Sequence, residues 1–232
     1  IIKLFVDSQM VYSHKMDEFG FHETKYINSH LDYSEKISTS KKFHKCFLEP
    51  NNQLSIYYKI KENGLIRLAK DSIVNAYFIV KDVYHNESKL DFQLINNRTI
   101  TEDTSKNENI ASLFRYGQPG RFANKDVKIS YTRDSFYDNI NFEFEKDTNS
   151  CRSCLTPIYK IHKNTTPLHK SISLSIRCNI ADSLKSKAFI AEINKNGNPI
   201  YKGGSFENGF IKTKTKKFGN YSICVDTIPP II

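Results

Sequence analysis

Lys89-Leu-Asp-Phe-Gln-Leu94 alternates polar and apolar side chains one by one, with Leu90, Phe92 and Leu94 set against Lys89, Asp91 and Gln93. Successive side chains of a strand point to opposite faces, so a period of two fits a half-buried strand and not a helix. Outward from this stretch, strand-like runs recur near residues 1–6, 10–16, 45–48, 53–60, 64–69 and 75–82. Turn signals separate them at Glu49-Pro-Asn-Asn52, Glu62-Asn-Gly64 and Tyr84-His-Asn86. Seven short strands in about 100 residues meet the requirement of an immunoglobulin-like sandwich. The only helical stretch expected lies within residues 28–40, as one or two turns around Asp32-Tyr-Ser-Glu35.

The segment from Asn96 to Asn109 is polar throughout except for Ile100, which marks the best interior boundary. A second strand series follows near 111–116, 126–131, 140–145, 158–161, 171–178, 187–193, 199–202, 208–214 and 220–226. Asn194-Lys-Asn-Gly197 reads as a hairpin turn between two of them. The sequence therefore predicts an all-β chain of two immunoglobulin-like β-sandwich domains in tandem. The expected boundaries are 1–96 for the first sandwich, 97–109 for a polar linker, 110–228 for the second, and 229–232 for a Pro-rich exit. The chain opens within a strand at Ile1 and closes on Pro229-Pro230, which suggests a piece of a longer polypeptide.

Composition narrows the function classes. The 232 residues are 39% hydrophobic and 12% aromatic, too apolar for a disordered chain. No apolar run approaches the ~18–20 residues of a membrane span, so none is expected. The net charge of +9 invites a nucleic-acid reading, but the lysines are scattered among acidic residues. The densest run, Lys212-Thr-Lys-Thr-Lys-Lys217, alternates like the solvent face of a strand. Nucleic acid is not an expected partner.

The chemistry-bearing residues form no recognisable site in sequence. Seven histidines (His14, His22, His30, His44, His85, His162 and His169) include no His-x-His and no His-Glu-x-x-His. His14 and Asp17 are three apart, on opposite faces of a strand. His22 and His30 read as loop residues. His44 and Cys46 share a strand face, but Phe43, Phe47 and Leu48 suggest packing and not an activated thiol. Asp17/Glu18, Asp32/Glu35 and Glu143/Glu145 read as solvated carboxylates. Five cysteines cannot complete a disulfide framework. Cys151-Arg-Ser-Cys154 is a lone CxxC that could be a loop disulfide, free thiols, or a metal or redox pair. Cys46, Cys178 and Cys224 are expected to be buried free thiols outside any metal site. No catalytic, cofactor-binding or metal residue is assigned.

Several segments together resemble one protein class. They are Met16-Asp-Glu-Phe-Gly-Phe-His-Glu-Thr-Lys-Tyr-Ile-Asn28, Leu31-Asp-Tyr33, Lys45-Cys-Phe-Leu-Glu-Pro-Asn-Asn-Gln-Leu54 and Val80-Lys-Asp-Val83. Thr166-Pro-Leu-His169 and the closing Phe218-Gly-Asn-Tyr with Val225-Asp-Thr-Ile-Pro-Pro230 complete the set. The chain resembles the C-terminal non-catalytic β-sandwich region of large bacterial lysostaphin-like (LytM-type) zinc metallopeptidases. That family uses a His-x-x-x-Asp and a later His-x-His for zinc, and neither occurs here. The resemblance thus implies a non-enzymatic accessory region in the bacterial cell envelope, with zinc confined to a catalytic domain of the parent. Asp226 and Pro229 match the closing motif, and Asp17, Glu18 and Asp32 match the first module, all in structural roles. Implied partners are the parent's own catalytic domain, envelope proteins or peptidoglycan. The alternatives are a scaffold module of a surface assembly without active peptidase, and a free-standing enzyme with a loop-built site.

Overall fold

The computed structural model describes residues 1–97, 110–148, 151 and 153–227. The chain divides into two compact units, 1–106 and 107–232. Most of the expected linker at 97–109 and the Pro-rich exit at 229–232 lie outside the described residues.

The first unit is built on a single antiparallel sheet. Its strands are β1 (Ile2–Val6), β2 (Gln9–His14), β3 (Tyr57–Ile60), β4 (Ile73–Lys81) and β5 (Glu87–Ile95), in the order β3-β2-β1-β4-β5. Asp7 and Ser8 both take positive φ between β1 and β2, the backbone that a two-residue hairpin turn needs. Between β2 and β3 the chain leaves the sheet. It forms a 3-10 helix at Phe21–Tyr26, then α1 (Ile27–His30) and α2 (Tyr33–Thr39). The expected helix is thus found, and Asp32 caps it by accepting a hydrogen bond from the Glu35 N–H at 3.1 Å.

Two expected strands do not form. Residues 45–48 and 64–69 lie outside the ladders of the sheet. Their backbone donors go to local partners, as in the Leu48 N–H to the Asn63 carbonyl at 2.8 Å. Gly64 explains the close approach: its φ is +77°, and a Cβ there would sit 2.3 Å from the Cys46 carbonyl oxygen. The first unit therefore has five strands in one sheet instead of the seven anticipated.

The second unit is a two-sheet sandwich. It contains β6 (Ile110–Phe114), β7 (Gly120–Ala123), β8 (Val127–Tyr131), β9 (Ile140–Asp147), β10 (Ile158–Ile161) and β11 (Pro167–Arg177). After the short α3 (Asp182–Lys185) come β12 (Ala188–Ile193), β13 (Pro199–Tyr201), β14 (Ser205–Glu207), β15 (Phe210–Lys217) and β16 (Gly219–Val225). One sheet runs β13-β12-β16-β10-β9-β6 and the other β14-β15-β11-β8-β7. All nine expected strands are present. The short β7 and β14, and α3, are additions that carry too little alternation to be read from sequence.

The inward residues of both sheets form one apolar cluster that includes Phe114, Ile129, Phe142, Ile161, Leu174, Ile190 and Ile223. On β15, Lys212, Lys214 and Lys216 are exposed while Thr215 is buried, so the lysine run is a solvent face as expected. Tyr221 closes the unit from within. Its hydroxyl donates to the Lys217 carbonyl at 2.8 Å and lies 2.8 Å from the Thr215 hydroxyl. The Phe218-Gly-Asn-Tyr221 segment thus has a structural task, pinning β15 to β16.

Candidate functional site

The first unit gathers three histidines that sequence leaves 16 and 14 residues apart. His14 ends β2, His30 ends α1, and His44 forms an isolated antiparallel bridge with Leu31. Tyr12 and His14 share one face of β2, two residues apart, and both are buried, as is Ser13 on the opposite face. α1 stops at His30, and α2 carries the chain out and back. The return is fixed at its base by Asp32 N–H to the Phe43 carbonyl and Lys45 N–H to the His30 carbonyl, both 2.8 Å. The Tyr12 hydroxyl donates to the Lys45 carbonyl at 3.0 Å, tying this bridge to the sheet.

The three rings face one another. His30 Nε2 lies 3.0 Å from His44 Nδ1, which lies 3.3 Å from His14 Nε2. The three nearest ring nitrogens all fall within 4.8 Å. His14 and His44 stack with centroids 5.3 Å apart, and His30 stands edge-on to both at 4.8 Å. His14 and His30 are buried and His44 half-buried. On its outer side, His30 Nδ1 meets the Tyr57 hydroxyl at 3.1 Å, and Asn52 Nδ2 donates to that hydroxyl at 2.7 Å. His14 Nδ1 is buried without a hydrogen-bond partner among the described residues.

Burial sets the protonation of this cluster. It pushes His14 down to about 4, and the neighbouring His44 lowers it further. It pushes His30 down to about 3, helped by His14, His44 and Lys45. Burial lowers His44 as well. The rings are therefore neutral at pH 7, each with one lone pair. Tyr12 and Tyr57 are pushed up by burial and remain protonated donors.

A second cluster lies in the other unit. Cys151 and Cys154 form a disulfide, one of the readings that the CxxC left open. Cys224 on β16 places its Sγ 3.8 Å from that of Cys154, and the two residues bridge as antiparallel neighbours. Cys224 and Cys178 are buried free thiols as expected, and burial raises both above the usual thiol range. Cys46 differs: it is only half-buried, because Phe43 and Phe47 turn to solvent instead of packing around it.

The other sequence candidates are scattered. Asp17 pairs with Lys15, Glu143 with Lys163 at 2.9 Å, and Glu145 with Lys160 at 2.7 Å. Asp32 is a helix cap. His22 is exposed on the first turn of its helix. His162 has both ring nitrogens engaged, Nδ1 with the Glu143 N–H and Nε2 with the Thr166 hydroxyl. Sequence set His14 against Asp17, His30 beside His22 and His44 beside Cys46, and no local spacing links the three histidines to one another.

No curated protein and no solved structure matches the chain. The family model of the Zu5-like domain matches residues 111–226, which span the sandwich of the second unit almost from end to end. The chain belongs to the Zu5-like domain family.

Proposed function

We propose that this chain is a non-catalytic interaction region of a bacterial envelope peptidoglycan metallopeptidase, an all-β pair of units, the second an immunoglobulin-like sandwich, that docks or positions its parent's catalytic domain. The resemblance of its segments to that class supports the envelope setting. The observation that carries the docking role is β5. This nine-residue strand is the last of its sheet, and its outer edge pairs with no other described strand. Leu90 and Ile95 stand 63% and 57% exposed along it. A nine-residue strand with an unpaired backbone edge is a template for an added partner strand, whose side chains would meet Leu90 on one face and Ile95 on the other.

The test is a pull-down of the purified chain against the parent's catalytic domain and against peptidoglycan sacculi. Binding that is lost in a Leu90→Asp, Ile95→Asp double variant supports docking through β5. Capture of other envelope proteins alone would shift the reading to a scaffold of a surface assembly. Cleavage of peptidoglycan cross-links by the chain itself would overturn it in favour of an enzyme.

A further inference from the structure

We infer that His14, His30 and His44 form a binding site for a single zinc ion, held by three imidazole nitrogens in the first unit. The inference stands apart from the docking role and departs from the expectation that zinc belongs only to a catalytic domain elsewhere. At Zn–N distances of about 2.0–2.1 Å, two tetrahedral ligands sit about 3.3 Å apart. The observed nitrogen separations are 3.0 and 3.3 Å, with the third pair within 4.8 Å. Hydrogen bonding alone does not account for the arrangement. His44 Nδ1 carries either one proton or one lone pair, yet faces two ring nitrogens, so at most one of its contacts is a full hydrogen bond. A cation at the centre engages one lone pair from each ring.

The surroundings suit such a site. Metal-bound histidines usually donate their other ring N–H to a fixed acceptor. Of the three ligands His30 has such a partner, its Nδ1 lying in reach of the Tyr57 hydroxyl that Asn52 orients from the far side, while the buried His14 Nδ1 has none among the described residues. Glu49 places a carboxylate beside the cluster, held by Ser29 and Lys45, the chain neighbours of His30 and His44. The ligand backbones are joined by the Leu31–His44 bridge and the Tyr12–Lys45 bond, so the rings are held before any ion arrives. Half-buried His44 gives the ion a path in. Among the described residues no fourth His, Cys, Asp or Glu joins the three, which leaves the remaining vertex to water. The cysteine cluster is the poorer site, because its disulfide removes two of the three thiolates.

The experiment strips the full chain with a chelator and titrates it with cobalt(II), then zinc(II). Expected are one equivalent of cobalt, four-coordinate visible bands without a thiolate charge-transfer band, and displacement of cobalt by zinc. Zinc should also raise the melting temperature of the first unit by about 5 °C or more, since a ligand that binds only the folded state stabilises it. His44→Asn, at the most exposed of the three ligands, should abolish stoichiometric binding, while Cys224→Ser should bind as the parent does. If His44→Asn fails to fold, the cobalt spectrum of the unaltered chain still decides. No stoichiometric metal, a thiolate band, or binding that follows Cys224 instead of His44 overturns the site.

Discussion

The two units bury different kinds of side chain. Among the described residues the first has seven buried hydrophobic residues, from Leu4 to Ala76, against seven buried polar ones, among them His14, His30, Glu23, Asn51 and Asn52. The second has 24 buried hydrophobic residues and only Ser135, Thr215 and Ser222 as buried polar ones. Apolar burial is non-directional and tolerant, whereas a buried polar network is stabilising only when its members are satisfied. The second unit is thus held by volume and the first by connectivity, and the two should fail in different ways.

The largest expected contrast comes from deleting apolar volume. Phe142 is fully buried and stacks on Phe114 at 4.2 Å. Phe142→Ala should cost the second unit about 3–5 kcal/mol, read as a shifted denaturant midpoint with the first unit's transition unmoved. A single coincident transition for both units would break the contrast.

Acid should act more strongly on the first unit. Folded-state values below the ordinary histidine range mean that the unfolded chain binds protons first. The stabilisation is then present above pH ~6.5 and lost as pH falls toward about 4 for His14 and about 3 for His30. Those two rings alone give a slope of about 2.7 kcal/mol per pH unit inside that window. His44 acts in the same direction. In the second unit His162 is lowered to about 4, chiefly by burial and against the pull of Glu143, and one ring gives about 1.4 kcal/mol per pH unit. Denaturation of chelated protein at a series of pH values between 7 and 4 measures both slopes.

Tyr12→Phe keeps the ring and removes the hydroxyl that holds the Lys45 carbonyl, so about 1–3 kcal/mol should be lost from the first unit. The smallest effect is expected for Asp32→Ala. Losing the cap of the exposed α2 should cost about 0.5–2 kcal/mol, visible as faster amide exchange over 33–39.

How far sequence reaches depends on which kind of burial is at work. Alternating apolar residues such as Ile172, Leu174 and Ile176 announce a strand by themselves, and all nine strands expected in the second half are found. In the first half the same pattern misleads at 45–48 and 64–69. There the apolar residues line turns, and a glycine lets two backbones touch. The histidine cluster was illegible for a related reason. Its members sit on a strand end, a helix end and a bridge, and no local period links three such places. The helical turns around Asp32-Tyr-Ser-Glu35, by contrast, were readable because a helix start is a property of neighbours in the chain, although Asp32 itself was read as a solvated carboxylate and is the cap.

The bridge between Leu31 and His44 also separates two lengths that the chain would otherwise couple. His30 and His44 are held together by hydrogen bonds at the base of the excursion, while α2 buries none of its own residues. Segment 33–42 is therefore a handle outside the cluster. It can be lengthened, shortened or replaced by a reporter peptide at little cost in closure entropy, since each doubling of a loop adds only about 0.6 kcal/mol. A chain redesigned there keeps the same meeting point of rings, which makes this loop the natural place to attach a probe that reports on their occupancy.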